Sequence, residues 1–278
     1  MKPFILRCIK FLLITAIVLS IEPTYLVITE TYKHTVAGSE IYHSLFKSKQ
    51  KKKSKKILLG DSVGNQLFGN TTNNDTIYSL ACNQAISMTG HFILLNNYLS
   101  AGNEVDTIFL IFSPFSFKNN LDQVYTYHYF LKPFYTDEYK PLFTKKVNEQ
   151  IQKIPYFNFC RFSHVLASNW APNFISKDSI NYSFLSPISI EYLLKIKELS
   201  KKHNFKIIIL PTPTPLNKKN TVEKLDKNEI VKNNLEHEFE NYFKCIIYLN
   251  DSFFIDGTHI KYEYLSYIIA YYRNKLMQ

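Results

Sequence analysis

The chain has 278 residues, of which 46% are hydrophobic, 15% aromatic and 20% charged. This composition excludes a disordered chain, and 7 Gly with 11 Pro exclude a collagen-like or linker-like one. Four cysteines in this length exclude a disulfide scaffold. The net charge is +10, but residues 1–56 alone hold 11 Lys/Arg against 3 Glu, so the rest is nearly neutral and no nucleic-acid partner is predicted.

The N-terminus is apolar after a short basic start. Three basic residues precede an apolar run over residues 11–21, and the apolar character resumes after Glu22-Pro23. Counted from residue 11 to Thr29 as one helix, this stretch spans about 28 Å, close to the thickness of a bilayer. A cleaved signal peptide has a similar basic start and apolar run. Because no clear small-x-small cleavage site follows, we predict an uncleaved signal anchor over residues 1–30.

The distribution of basic residues predicts the orientation of this anchor. The basic N-terminus favours cytoplasm on that side, so we expect a single-pass cell-membrane protein with its C-terminal domain extracytoplasmic, either periplasmic or on the cell surface. A second basic cluster, with seven Lys in residues 47–56, would make the domain cytoplasmic if it overrode the first. We interpret residues 31–55 as a basic linker, in which self-repulsion keeps the lysine run at 47–56 extended and solvated. Contact with anionic lipid or an acidic glycan is the alternative.

Beyond the linker, short apolar strands alternate with helices, which indicates a parallel sheet covered on both faces. The predicted fold class is α/β, with a doubly wound, mostly parallel five-stranded sheet over residues 56–278. Strands are predicted at residues 56–59, 76–80, 107–112, 206–210 and 245–249. Helices are predicted at residues 87–100, 189–202, 222–241 and 262–276, and near 138–152 inside an irregular insertion at about 115–185.

Two short motifs near opposite ends of this domain carry candidate chemistry. Gly60-Asp61-Ser62 directly follows the first strand, where sites form in open parallel sheets. A serine there has an exposed Oγ and a backbone N–H at a helix start, but it needs a base that is itself oriented by an acceptor. Asp256 and His259 precede the last helix, and their spacing around a Gly turn can place the carboxylate against one imidazole nitrogen.

This joint pattern resembles the SGNH (GDSL-like) hydrolase family over roughly residues 55–275. By that resemblance Ser62 is the nucleophile, His259 the general base and then acid, and Asp256 the orienting carboxylate. Asp61 matches the family's Asp before the serine, and we interpret it as a structural hydrogen-bonding residue.

The oxyanion-binding blocks of the family are only partly present. Ser62 N–H is one expected donor, and Ala85 stands nearest the glycine that supplies a second backbone N–H. The third block's Gly-x-Asn-Asp is replaced by Ser-Pro-Phe-Ser at residues 113–116, so its side-chain amide is missing. Asn83 and Asn119 are the candidate replacements, and the sequence does not select between them. Losing one such donor costs about a hundredfold in rate.

These departures and the predicted anchor are similar to the extracytoplasmic branch of the family that moves acyl groups on envelope polymers. Alginate O-acetylation proteins and the teichoic-acid D-alanine transfer protein are examples, and the latter also has Ser-Pro after its third strand. The resemblance implies a membrane-anchored esterase or O-acyltransferase acting on a cell-surface polysaccharide, with a membrane-bound acyl donor protein as a candidate partner. The alternative is a catalytically silent glycan-binding or assembly component.

No cofactor and no metal site are predicted. The sequence has no Gly-rich phosphate loop, and His128 and His164 do not stand in a metal-ligand spacing. The aromatic segment at residues 125–135 is interpreted either as a sugar-stacking wall beside Ser62 or as a second hydrophobic cluster under the insertion.

Overall fold

A four-stranded parallel sheet forms the centre of the domain. The computed structural model describes residues 2–29, 33, 38–69, 76–160 and 182–276. The sheet has the order β2-β1-β3-β4, and every neighbouring pair is parallel. Its strands are β1 (Lys56–Gly60), β2 (Tyr78–Ser79), β3 (Thr107–Phe112) and β4 (Lys206–Pro211). The predicted parallel α/β architecture is therefore confirmed.

The predicted fifth strand does not join this sheet. Only Tyr248–Leu249 is extended (β6), and it pairs in parallel with β5 (Thr214–Pro215) as a separate two-stranded sheet. Thr212 and Pro213 separate β5 from β4, and a proline cannot donate to a ladder. The prediction of five strands in one sheet is wrong because the apolar pattern at 245–249 carries no information about its partner strand.

Eleven α-helical segments surround the sheets within the described residues. They are α1 (Lys2–Thr29), α2 (Ser39–Ser48), α3 (Ser62–Phe68), α4 (Ser87–Ser100), α5 (Lys132–Phe134), α6 (Lys145–Gln152), α7 (Pro187–His203), α8 (Lys219–Glu223), α9 (Asn228–Lys232), α10 (Glu236–Phe239) and α11 (Tyr262–Leu276).

Both faces of the parallel sheet are covered, because successive side chains of a strand point to opposite faces. Leu58 and Ile111 belong to an apolar cluster that includes residues of α3 and α11. Ile57 and Leu110 belong to a larger cluster that includes residues of α2, α4 and α7. The strands are therefore apolar at consecutive positions, as the sequence pattern predicts for a doubly wound sheet.

The N-terminal helix α1 continues past Glu22 to Thr29. Within the described residues it is the one helix long and apolar enough to cross a membrane, and the stretch Lys2–Glu22 is not buried against the rest of the protein. A membrane anchor and a signal sequence both have these properties.

The region predicted as a basic linker contains helix α2. Ile41 and Leu45, one helical turn apart, are buried in the core. Lys49 pairs with Glu138 at 2.6 Å, and the Lys47 ammonium lies 5.1 Å from the ring centroid of Tyr78. The prediction of an extended, solvated lysine run is therefore wrong at Lys47, which is buried on the docked helix, whereas Lys51, Lys52 and Lys53 are exposed and outside any helix or strand. The division into domains stays a prediction.

The predicted charged helix over 222–241 is three short helices, α8, α9 and α10. Asp226 accepts the backbone N–H of Asn228 between the first two, and Asn234 adopts a φ of 52° between the second and third. Local turns at these polar residues interrupt the helix.

The aromatic segment at 125–135 is mostly core. It forms a π-helix over Tyr127–Leu131 followed by α5. Tyr127, Phe130 and Phe134 are buried in the larger of the two sheet clusters, so the segment supplies neither a separate cluster nor an exposed wall, although Tyr125 is exposed. Residues 161–181 of the predicted insertion, with His164, lie outside the described residues.

Candidate active site

The sheet order places a crevice at the carboxyl end of β1. The two neighbours of β1 are β2 and β3, so the connections leaving β1 and β2 run to opposite sides of the sheet. Ligands bind at such a switch point in open α/β sheets. Ser62 lies there as the first residue of α3, immediately after the N-cap residue Asp61.

Two glycines allow the turn between β1 and α3 to lie against β3. A Cβ on Gly60 would stand 2.8 Å from the carbonyl oxygen of Ile111, and one on Gly64 would stand 3.0 Å from the same atom. Larger residues would push α3 away from the sheet, so these glycines determine where Ser62 sits.

A tight turn near the C-terminal end of the sequence carries the second motif. Phe254 and Ile260 form an antiparallel bridge, and Ile255 N–H donates to the His259 carbonyl at 2.8 Å. Gly257 has a φ of 72°, a backbone conformation that favours glycine. The turn is thus held at its base, with Asp256 and His259 near its tip.

The structure brings the three predicted catalytic residues together. His259 Nε2 lies 2.9 Å from Ser62 Oγ, and His259 Nδ1 lies 2.7 Å from Asp256 Oδ2. An ionised carboxylate only accepts hydrogen bonds, so Nδ1 carries the proton and donates to Asp256. In the neutral imidazole Nε2 is then unprotonated and can accept the hydroxyl proton of Ser62, which is the arrangement that a base-activated serine needs.

Asp256 is kept ionised by the hydrogen bonds that it accepts. Its Oδ1 accepts the backbone N–H groups of Thr258 at 3.0 Å and His259 at 2.8 Å. Desolvation is the largest single contribution and opposes ionisation, but these hydrogen bonds and the His259 imidazole together outweigh it and lower the pKa of Asp256 to about 2. The carboxylate is therefore charged at any pH at which the protein would be assayed.

Asp61 is buried and has a structural role, in agreement with its predicted one. Its Oδ1 accepts the N–H groups of Val63 and Gly64, both at 3.0 Å. Its Oδ2 accepts Ser113 N–H and Ser116 O–H, both at 2.6 Å. Burial raises the pKa of Asp61, while these four hydrogen bonds favour the ionised form. Asp61 thus ties the turn after β1 to the turn after β3.

Two of the expected oxyanion donors make hydrogen bonds to other parts of the protein. Ala85 N–H donates to Asn83 Oδ1 at 2.9 Å, and the Asn119 amide donates to the Gln84 carbonyl. The first hydrogen bond lies within one loop and the second joins two loops, so neither predicted group is free for a substrate in this conformation. Ser62 N–H, as the first in its helix, has no intrahelical acceptor.

Asn83 is the better placed of the two candidate asparagines. Cys82 N–H donates to the Gly60 carbonyl at 3.1 Å, which extends the β2–β1 pairing and puts residue 83 level with the start of the Ser62 turn. The Asn83 side chain is half-buried, and within the described residues no acceptor is recorded for its Nδ2.

Sequence reasoning missed the residue that holds the two motifs together. Gln66, one turn after Ser62 on α3, accepts Ile260 N–H at 2.9 Å and donates to the Ile260 carbonyl. It thereby fixes the chain next to His259 on the helix that carries the serine. The four-residue spacing from Ser62 puts Gln66 on the same helix face, but no sequence signal names its distant partner.

The comparisons with known proteins are distant. No family model matches the chain, and no curated protein does. A crystal structure from Bacteroides fragilis NCTC 9343, provisionally assigned as an acylhydrolase, has 10% identity and a TM-score of 0.37, covering 85% of this chain and 96% of its own. A structure from Streptococcus pneumonia, provisionally assigned as a platelet activating factor, has 15% identity and a TM-score of 0.33, covering 90% and 98%. At these scores nothing about this chain's function follows from either structure.

Among the residues that the structure describes, no three His, Cys, Asp or Glu side chains are grouped so that they could hold a metal ion.

Proposed function

We propose that the chain is a membrane-anchored serine esterase or O-acyltransferase of the SGNH type, acting on an acylated cell-surface polysaccharide. The observation that carries this proposal is the hydrogen-bonded series Ser62–His259–Asp256, with its 2.9 Å and 2.7 Å distances. Ser62 and His259 are 197 residues apart in the sequence, and they meet at the switch point of a parallel sheet.

The first half of the reaction forms an acyl-enzyme. Ser62 Oγ attacks the ester carbonyl while His259 Nε2 takes the hydroxyl proton, and the carboxylate of Asp256 stabilises the imidazolium that results. The tetrahedral intermediate then collapses, and the same Nε2 proton passes to the departing alkoxide oxygen. The acyl group is left on Ser62.

Donors for the negative oxygen of that intermediate are proposed at the start of α3 and on the neighbouring strand. Ser62 N–H and the Asn83 side-chain amide supply two hydrogen bonds in this scheme. Removing one such donor costs about 2.7–4 kcal/mol of transition-state stabilisation in serine hydrolases. Asn83 thus takes the role that the sequence left open between it and Asn119.

The second half transfers the acyl group to water or to a sugar hydroxyl. His259 deprotonates the acceptor and returns the proton to Ser62 in either case, so an esterase and a transferase share all of these groups. A polymeric substrate is supported by the openness of the site, since the side chains of His259 and Asp256 are 37% and 53% exposed. The resemblance to the envelope acyl-transfer branch supports a polysaccharide.

The test is hydrolysis of p-nitrophenyl acetate by the full chain purified in detergent. We expect turnover that Ser62→Ala abolishes and labelling by a fluorophosphonate probe that maps to Ser62. Absence of both in the folded wild-type chain would contradict the proposal and favour the silent glycan-binding component. Adding an oligosaccharide acceptor separates the two activities, because a transferase yields acylated sugar and an esterase yields only acetate.

Membrane anchoring and export are proposed from α1 and its basic start. A cysteine is introduced at the exposed position Lys201. It should react with a membrane-impermeant thiol reagent added to intact cells, or to spheroplasts if an outer membrane would keep the reagent away from the domain. Reaction only after lysis would place the domain in the cytoplasm, and recovery of the chain in the soluble fraction would refute the anchor.

A further inference from the structure

The turn over residues 255–259 is held at its tip by few contacts. A Cβ built on Gly257 would meet no atom within 4 Å, so nothing in the described chain packs against that position. Among the described residues, two side chains from elsewhere form hydrogen bonds with this turn, Ser62 with His259 Nε2 and Lys218 with the Gly257 carbonyl. The other hydrogen bonds recorded for the turn join its own groups.

Lys218 joins the tip of the turn to the loop after β3. Its Nζ donates to the Gly257 carbonyl at 2.6 Å and lies 5.5 Å from the centroid of the Phe115 ring. A hydrogen bond from a charged donor is roughly twice as strong as a neutral one. The loop that carries Phe115 is itself fixed, because Ser113 N–H donates to the buried carboxylate of Asp61 at 2.6 Å. The turn is thus attached to a rigid part of the domain.

The small β5–β6 sheet brings Lys218 to this position. Because the two strands are parallel, both segments leave the sheet in the same direction. The segment after β5 forms a 3-10 helix over Leu216–Lys218, and the segment after β6 forms one over Asp251–Phe253 that leads into the turn. Asn217 N–H donates to Asp251 Oδ1 at 3.1 Å, which ties the two segments together next to Lys218.

The two outside contacts of the turn differ once the acyl-enzyme has formed. Ser62 Oγ then carries the acyl group in an ester, so it has no proton to donate to His259 Nε2. The hydrogen bond from Lys218 to Gly257 involves no reacting atom and is retained. His259 must still be in place at this stage, because it takes the proton of the acceptor.

We propose that Lys218 is a positioning residue that keeps His259 in place while Ser62 is acylated. The proposal rests on the proposed function and adds a residue to it. In the step that Lys218 supports, the oxygen of water or of a sugar hydroxyl bonds to the acyl carbon while its proton passes to His259 Nε2. The bond from that carbon to Ser62 Oγ then breaks, its electron pair stays on Oγ, and Nε2 returns the proton to Oγ.

Kinetics that separate the two steps distinguish this role from a general loss of stability. Acylation of the full chain in detergent is measured as the burst of p-nitrophenol from p-nitrophenyl acetate. Deacylation is measured by mass spectrometry, as loss of the acetyl group from the protein after the substrate is removed. Lys218→Met keeps a long side chain but donates no hydrogen bond. It should slow deacylation about tenfold and change acylation less than about twofold.

Two further variants make the comparison specific. Lys118→Met is the matched control, because Lys118 Nζ lies 5.8 Å from the same Phe115 ring and no hydrogen bond from it to the turn is recorded in the described chain. It should leave both rates unchanged. Lys218→Arg keeps a charged donor and should restore most of the deacylation rate. Equal slowing of both steps in Lys218→Met, or equal slowing of deacylation in Lys118→Met, would overturn the proposal.

Nuclear magnetic resonance tests the contact without turnover. Ser62→Ala removes the hydroxyl, so the turn loses the same hydrogen bond that it loses in the acyl-enzyme. With isotope-labelled histidine, the proton between His259 Nδ1 and Asp256 should resonate at low field in Ser62→Ala and be lost by exchange with water in Ser62→Ala/Lys218→Met. It should persist in Ser62→Ala/Lys118→Met. A signal that survives in Ser62→Ala/Lys218→Met, or that is already lost in Ser62→Ala, would overturn the proposal.

The two measurements separate failure of this proposal from failure of the proposed function. If the folded chain forms no acyl-enzyme but the resonance depends on Lys218, the proposed function is refuted and the positioning contact is supported. If the acyl-enzyme forms and decays as fast in Lys218→Met as in the wild type, the proposed function is retained and the role of Lys218 is refuted.

Discussion

Gln66 offers the sharpest test of how the candidate catalytic residues are held together. Replacing it with Leu keeps a similar side-chain volume and a good helix former but removes both hydrogen bonds to Ile260. A side-chain hydrogen bond contributes about 0.5–1.5 kcal/mol net, and a buried group left unsatisfied costs about 1–3 kcal/mol. Since Ile260 is fully buried, we expect Gln66→Leu to weaken the docking of this turn by about 2–3 kcal/mol.

That loss should appear mainly in the chemical step. If the turn docks less firmly on α3, His259 spends less time within reach of Ser62, and each 1.4 kcal/mol of lost positioning reduces the rate about tenfold. We therefore expect kcat for p-nitrophenyl acetate to fall about 10- to 100-fold with little change in KM. Gln66→Glu, which can accept from Ile260 N–H but cannot donate to its carbonyl, should fall between the wild type and Gln66→Leu.

Two controls separate positioning from general loss of stability. Gln152→Leu makes the same change at an exposed position on α6, and Ile196→Val removes one methyl from the core at a cost of about 0.5–1.5 kcal/mol. Urea unfolding measures the free energy of unfolding of each variant, and initial rates measure kcat. The reasoning is refuted if Gln66→Leu keeps kcat within twofold of wild type, or if Ile196→Val lowers kcat as much at equal loss of stability.

Three further predictions follow from the buried and charged groups. Asp61→Asn should lower the free energy of unfolding by about 3–5 kcal/mol in urea titrations, because an amide cannot accept all four hydrogen bonds of the carboxylate. Burial lowers the pKa of His91 to about 3 from 6.5, so the unfolded chain binds the proton first. The contribution of neutral His91 to the free energy of unfolding is complete above pH 6.5 and falls by about 1.4 kcal/mol per pH unit as the pH drops towards 3. His91→Leu should reduce this pH dependence in urea unfolding curves measured at pH 4–7. Asp256→Asn should lower kcat by about 10³- to 10⁴-fold with the chain still folded by circular dichroism, and a smaller loss would show that the carboxylate does not orient His259.

The meeting of Ser62, His259 and Asp256 could be predicted because each motif is determined by local sequence. The apolar strand before Gly60 fixes the turn that exposes Ser62, and the Gly at 257 fixes the turn that joins Asp256 to His259. The parallel order of the sheet then brings strand ends to one edge. To predict that the two turns meet, only the fold class is needed, and the alternation of strands and helices indicates that class.

The oxyanion donors and Gln66 were beyond that reasoning because they depend on which hydrogen bonds are already made. Ala85 and Asn119 have suitable groups in suitable blocks, yet the Ala85 N–H is engaged by Asn83 in its own loop and the Asn119 amide by Gln84 in another loop. Gln66 contacts a backbone 194 residues away. The prediction for the fifth strand was wrong for the same reason, because an apolar run such as 245–249 predicts an extended segment but does not identify the strand with which it pairs.

The distribution of burial around the site favours catalysis over a silent module that kept the fold. Asp61 is nearly inaccessible, and its four hydrogen bonds stabilise the domain whatever its function. Ser62, His259 and Asp256 lie at the surface, where an exposed charge pair contributes about 0–1 kcal/mol to stability. Asp61 therefore contributes to stability, whereas an imidazole aligned with both a hydroxyl and a carboxylate contributes little. That alignment is the one that the proposed proton transfer from Ser62 requires.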